Sequence, residues 1–287
     1  LELFKDARAD LGEGPWWDGP TGRLLWLDLF EGTIHSFCPT DGTEASINVG
    51  QPIGVFAVRT NGGILAAVRD GLGFTDFGTG SFDLVVPVEM ENIANRANDG
   101  ACDAKGRVWY GTMAYDQTPK AGTVYRVDRH LNVVPMIHGT TTSNGIDWSP
   151  DNTIMYHADT GTREITMWDF DLEAGEIANG RVIYTAPPGA GSPDGLAVDA
   201  MGDLWVAMWG GGAMLRLSPN GQIRDTVPVP STYVTSVAFG GPDFDEIYIT
   251  TARLPLTPQQ REREPHAGSV FRYRPGISGR PQHRFAG

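Results

Sequence analysis

A turn built on Gly, Asp or Asn, followed at once by a short apolar strand, recurs six times, and no other feature restricts the fold so tightly. The copies are GRLLWLD (22–28), GGILAAV (62–68), GRVWYGT (106–112), NTIMYHAD (152–159), GDLWVAM (202–208) and DEIYITT (245–251), and they stand 40 to 50 residues apart. A short strand precedes each copy and another follows it, as GACDA and GTVYRVD do around the third. A fourth, more polar strand closes most units: EASINVG, LVVPVE, VVPMIHG and RVIYTAP. Four strands per roughly 45-residue repeat is the pattern of a propeller blade, a twisted sheet that buries its faces only by packing on its neighbours around a channel. The predicted fold is all-β: a six-bladed β-propeller with four-stranded blades around a central channel, formed as one domain over residues 1–287. The last unit lacks an outer strand of its own. ELFKDA at residues 2–7 is the predicted supplier, closing the ring and covering an edge that would otherwise be free.

Composition agrees, since 37 glycines, 20 prolines and only 20% charged residues describe a turn-rich β protein. No apolar run approaches the roughly 18 to 20 residues that cross a bilayer. The opening LELFKDARAD is charged where a signal peptide is apolar. A formal charge of −13 with three lysines, Lys5, Lys105 and Lys120, repels phosphate backbones and anionic lipid, so neither nucleic acid nor membrane is an expected partner. Cys38 and Cys102 lie far apart and form no metal-spaced cluster. They read as buried thiols of a reducing compartment, which places the chain in the cytoplasm, with a removed leader left open. Oligomeric state is left between monomer and weak dimer.

The innermost strands of a propeller gather their leading residues at one mouth of the channel. Taking Asp18, Arg59, Asp103, Ser149, Asp199 and Gly240 as equivalent positions and counting back five residues gives Glu13, Gly54, Asn98, Asn144, Asp194 and Thr235. Asn, Asp and Gly are common before strands for purely local reasons, because they tolerate left-handed backbone and bond to nearby amides. Recurrence at one repeat position is different, because the ring aims these side chains at a common point. Two carboxylates and two amides gathered there call for a cation or a polar ligand. Oxygen donors suit a hard or borderline divalent ion, whereas zinc more often recruits His or Cys.

LGEGPWW with Glu13, NRANDG with Arg96 and Asn98, GTMAYD, TSNGIDWSPD with Asn144, SPDGLAVDAMGDLWVA with Asp194, and FGGPDFDEIYITTAR together resemble the regucalcin (senescence marker protein 30)/gluconolactonase family, in that family's order from residue 11 to about 275. The resemblance implies one divalent metal, calcium first with zinc, manganese, magnesium or iron(II) as alternatives, held by Glu13, Asn144 and Asp194. It implies a hydrolase that opens a sugar lactone to the aldonic acid in carbohydrate catabolism. Arg96 and Asn98 match the pair that contacts substrate. Asp116, with Tyr115 beside it, stands where animal members carry a substrate-contacting Glu, and this departure bears on which substrate is taken.

Lactone hydrolysis needs an activated water, a polarised carbonyl and a proton acceptor, and Asp194 is the candidate general base, or else a ligand only. The rival classes are a non-catalytic calcium-binding regulatory propeller and a propeller esterase or phosphotriesterase acting on non-sugar substrates. No G-x-S-x-G elbow, H-E-x-x-H helix or Gly-Lys phosphate loop occurs. Asp99 and Asp147 read as turn residues, and His157 as the one histidine whose strand leads inward. Trp26, Trp109, Trp168 and Trp205 read as packing between blades. Residues 253–268 read as a surface loop with one helical turn that edges the pocket.

Overall fold

Each inner strand here is interrupted at the same point, and that irregularity shapes the channel. A computed structural model describes all residues 1–287 as six four-stranded antiparallel sheets, each a meander of neighbouring strands. The inner strands are Gly12–Asp18, Ile53–Val58, Asn95–Cys102, Ser143–Trp148, Ser192–Val198 and Val234–Gly240. Pairing with the second strand slips after Glu13, Ile53, Ala97, Ser143, Pro193 and Val234. Such a slip is a β-bulge, which leaves residues unpaired and turns their side chains away from the usual alternation. The unpaired positions include Gly54, Asn98, Asn144, Asp194 and Thr235, and Glu13 immediately precedes the first bulge.

The ring closes as predicted. Glu2–Lys5 pairs antiparallel with Val270–Tyr273, becoming the outer strand of the sixth sheet. Phe4 anchors it, with ring centroids 5.6 Å from Phe37 of the first blade and 4.8 Å from Tyr248 of the sixth. Pairs of this kind contribute about 0.5–1.5 kcal/mol each beyond the area they bury. Apolar side chains fill each of the six seams between successive sheets. Trp17, Leu24 and Trp26 meet Tyr248 and Val270 at the closing seam, and Tyr156 and Ile165 meet Leu196 and Leu204 between the fourth and fifth blades. Trp26, Trp109 and Trp205 are buried in these seams, while Trp168 lies on a third strand and is only half-buried. Cys38 and Cys102 are both buried and free.

The C-terminal segment crosses the base of the channel and bonds to every blade, which the repeat pattern did not foretell. Gln282 receives Trp17 N and donates to Pro15 O. Phe285 exchanges backbone bonds with Val58 and Thr60, and Ala286 N donates to Gly106 O. Arg280 donates to Trp148 O, Ala200 N to Ser278 O, and Gly279 N to Phe244 O. Phe285 is wholly buried among Val55, Val108 and Val127. Above this plug a cavity of about 90 Å³, bordered by Asp99, Asp147, Ser236, Arg280 and His283, occupies the channel. The bulged positions therefore face the opposite mouth, where the turns between second and third strands also lie.

Candidate metal centre

Asn144 sits within the strand Ser143–Trp148, so its Asn-Gly pair is not a hairpin turn. A Cβ on Gly145 would come within 2.7 Å of Asp194 O and 2.6 Å of Leu196 N, so the glycine serves the close approach of the next inner strand. The Asn144 side chain is fixed by its neighbours. Thr160 Oγ1 donates to Pro193 O at 2.7 Å, which leaves the hydroxyl to accept from Asn144 Nδ2 at 2.7 Å. The amide oxygen is thereby turned the other way, where it accepts from Asn98 Nδ2 at 3.1 Å and keeps a second lone pair.

Glu13 and Asp194 are 6% and 3% exposed. Burial pushes the Glu13 carboxyl well above the usual range, with the Asp99 charge adding to it. Burial likewise raises Asp194, followed by the charges of Glu13 and Asp99. Asp194 Oδ1 has no hydrogen-bond partner at all, and Glu13 Oε2 has only the amide of Gly14 at 3.1 Å. Asp99 is not the solvated turn residue that its sequence suggests. It lies in the same bulge as Asn98, is buried, and is pushed up to about 7 by that burial. Asp147 is likewise held above its ordinary value by burial, against the Arg280 cation. A bulge inside the strand, which no local sequence pattern announces, is what turns Asp99 inward.

Arg96 is 6% exposed, and desolvation lowers it to about 10. Its Nη1 donates to Ala97 O at 3.0 Å and Asn98 Oδ1 at 2.6 Å. Asn98 donates in turn to Ser143 O at 2.8 Å as well as to Asn144. Asn98 thus ties Arg96 to Asn144, with both its polar atoms engaged inside the protein. Asp116 is not brought into this group. It is exposed on its loop and accepts from Thr118 N at 2.9 Å and Thr118 Oγ1 at 2.7 Å. Tyr115 takes the position instead, its ring 5.8 Å from the Arg96 guanidinium, with Phe30 5.2 Å away. An Asx turn to a Thr two residues on captures the short acid locally, and D-x-T was the signal for it.

His157 does lead inward. It is buried, shares a hydrogen bond of 2.9 Å with Ser143 Oγ, and is lowered to about 4 by desolvation. The loop after Thr251 carries the helix Pro258–Arg263, capped by Thr257, and Glu264 accepts from Thr232 N and Oγ1.

No trio of His, Cys, Asp and Glu side chains forms a ready-made cage. The donors that do converge are two carboxylates and an amide. Both acids are buried and held above their usual range, with the Glu13 charge adding to the rise at Asp194; Asp194 carries an oxygen with no partner, and the amide oxygen retains a free lone pair. That set fits a hard divalent cation, which would neutralise both acids and satisfy the orphan oxygen.

Fold and site together define a six-bladed propeller with an oxygen-donor centre at one mouth of its channel. Residues 11–253 match the SMP-30/Gluconolactonase/LRE-like region, and the chain belongs to that family. A 6-deoxy-6-sulfogluconolactonase of Pseudomonas putida is 33% identical over 278 residues, covering 96% of this chain and 95% of its own. Regucalcin of Oryctolagus cuniculus is 33% identical over 294 residues, covering all of this chain and 98% of its own. The crystal structure of a calcium-binding protein, regucalcin, from Agrobacterium tumefaciens superposes with a TM-score of 0.94 at 28% identity, covering 99% of this chain and 96% of that one.

Proposed function

We propose that this protein is a metal-dependent hydrolase that opens a sugar lactone, an aldono-1,4- or 1,5-lactone, to the aldonic acid in carbohydrate catabolism. The observation that carries the reading is the meeting of Glu13, Asn144 and Asp194 beside Arg96, with Asp194 Oδ1 buried and unpartnered. Relatives bearing a lactonase name support the reaction class, and one described as calcium-binding supports calcium as the first ion to test.

Glu13, Asn144 and Asp194 would hold the cation, which supplies Lewis acidity to the lactone carbonyl oxygen and makes a nearby water more acidic. Asp194 takes the proton of the attacking water as its oxygen bonds to the carbonyl carbon. The bond from that carbon to the ring oxygen then breaks. Asp194 returns the same proton to the leaving ring oxygen, so one carboxylate closes the proton balance. Arg96 offers N–H donors to substrate oxygens, and Asn98 keeps Arg96 and Asn144 in register.

A pH-indicator assay on lactones of both ring sizes and several stereochemistries, with and without chelator, tests this reading. Hydrolysis that chelator stops and added metal restores is the expected result. Metal binding without hydrolysis of any lactone would favour the non-catalytic calcium-binding propeller instead. Phe30 and Tyr115 make the mouth more aromatic than the sequence implied, so aryl esters belong on the panel as the rival substrates.

A further inference from the structure

Asn144 and Asp194 come from different blades, and one hydroxyl spans the seam between them. Thr160 follows the second strand of the fourth blade, Ile154–Asp159. Its Oγ1 accepts from Asn144 Nδ2 at 2.7 Å and donates at 2.7 Å to the carbonyl of Pro193, the residue before Asp194. A single atom therefore links the side chain of one ligand to the strand that carries the other.

The link is directional. An amide presents an oxygen on one side and an NH2 group on the other, and only the oxygen binds a cation. Pro193 O can only accept, so the Thr160 proton is committed there, and the lone pairs that remain receive the NH2 of Asn144. The turn that carries Thr160 is itself pinned. The buried Asp159 carboxylate accepts from Thr141 N, Thr142 N and Gly161 N at 2.8, 2.9 and 3.0 Å, and Thr160 N donates to Thr142 O at 3.0 Å. A Cβ on Gly161 would lie 2.3 Å from Thr141 Cγ2, so the turn closes this tightly only with glycine there.

A propeller seam does not need this bond for its own sake. The residues that follow the six second strands are Leu29, Arg69, Tyr115, Thr160, Gly210 and Ala252. Of these only Thr160 makes a side-chain hydrogen bond to an inner strand, and Arg69 bonds to its neighbour Asp70. The other five seams close without such a bridge. The exception falls at the one seam with a ligand residue on each side.

We propose that Thr160 is a positioning residue of the metal centre: its hydroxyl turns the Asn144 oxygen toward the cation and holds Asn144 in place against the strand of Asp194. This rests on reading Glu13, Asn144 and Asp194 as the ligands of the proposed lactonase. A binding readout keeps it separate from the question of which ester is opened.

The test is calorimetric titration of chelator-treated protein with calcium, manganese and zinc, beside urea midpoints of the metal-free proteins to show that each variant is folded. Thr160→Val keeps the shape and removes the hydroxyl, and Thr160→Ala serves in its place should the valine disturb the turn. Either should bind metal at least about tenfold more weakly than the wild type, as loss of a partner of a metal ligand does. Thr160→Ser, which keeps the hydroxyl, should bind as the wild type does. In an Asn144→Ala background the same Thr160 change should weaken binding by less than about threefold, because the side chain it acts through is gone. A seam bond with no bearing on the ligand would lower the urea midpoint and leave metal affinity unchanged. Wild-type affinity in both folded variants, a loss that Thr160→Ser shares, or a loss that adds in full to that of Asn144→Ala overturns the proposal and leaves the metal centre standing. A wild-type protein that takes up none of the three ions overturns both.

Discussion

Replacing Asn144 by Ala separates a metal ligand from a merely structural amide, because the structure limits what the change costs in stability. The side chain makes two hydrogen bonds, to Thr160 Oγ1 and from Asn98 Nδ2. Neither partner is orphaned by its loss. Thr160 still donates to Pro193 O, and Asn98 Nδ2 still donates to Ser143 O. At about 0.5–1.5 kcal/mol per bond the cost is about 2 kcal/mol. With an unfolding entropy of about 2.1 cal/mol/K per residue, the 287-residue chain should melt about 3 °C lower. The effect on metal should be larger in proportion. Losing a partner of a ligand weakens metal binding by roughly 10- to 100-fold, so losing a donor atom should weaken it by at least about tenfold. Calorimetric titration of the chelator-treated protein with calcium, manganese and zinc, beside a thermal melt, measures both quantities. Asn144→Asp, which restores an oxygen donor, should recover binding. A folded Asn144→Ala protein that binds metal as the wild type does would reduce Asn144 to a seam amide and refute the assignment.

Phe285→Ala should destabilise the chain by about 3–5 kcal/mol, since a wholly buried ring leaves a seam of the channel base. Chemical denaturation checks this, and an unchanged midpoint would mean that the C-terminal segment does not brace the ring. His157 is held at about 4, below its ordinary 6.5, so the folded state resists its protonation. The stability it contributes is complete above about pH 6.5 and is lost as pH falls toward 4. Urea midpoints at pH 4.5 and 6.5 should therefore differ more for the wild type than for His157→Gln, and equal pH dependence in the two proteins would contradict the assignment.

The blades were legible because each repeats one amphipathic solution, a turn followed by an apolar strand, and the sixth unit's missing outer strand pointed to residues 2–7, of which Glu2–Lys5 closes the sheet. Counting back from equivalent turns reached Asn98, Asn144 and Asp194 because the bulges fall at one repeat position. The bulges themselves were not legible, since a two-for-one register slip leaves no local signature, and so Asp99 was read as a turn residue when it is buried. Asp116 differs from these residues in being held by its own loop. An Asx turn to Thr118 engages the carboxylate locally, a contact that resemblance to the family did not signal. The segment Ser278 to Gly287 stands outside the repeat, and its bonds to all six blades depend on the channel base that only the closed ring creates.

The most direct measurement is a titration of the chelator-treated protein with calcium, then manganese and zinc, while lactone hydrolysis is followed by proton release. Activity should be negligible without metal, rise to a plateau at one equivalent, and stay absent in Asp194→Ala at every metal concentration. Full hydrolysis in excess chelator, or wild-type activity in Asp194→Ala, would contradict a single metal centre built on Glu13, Asn144 and Asp194.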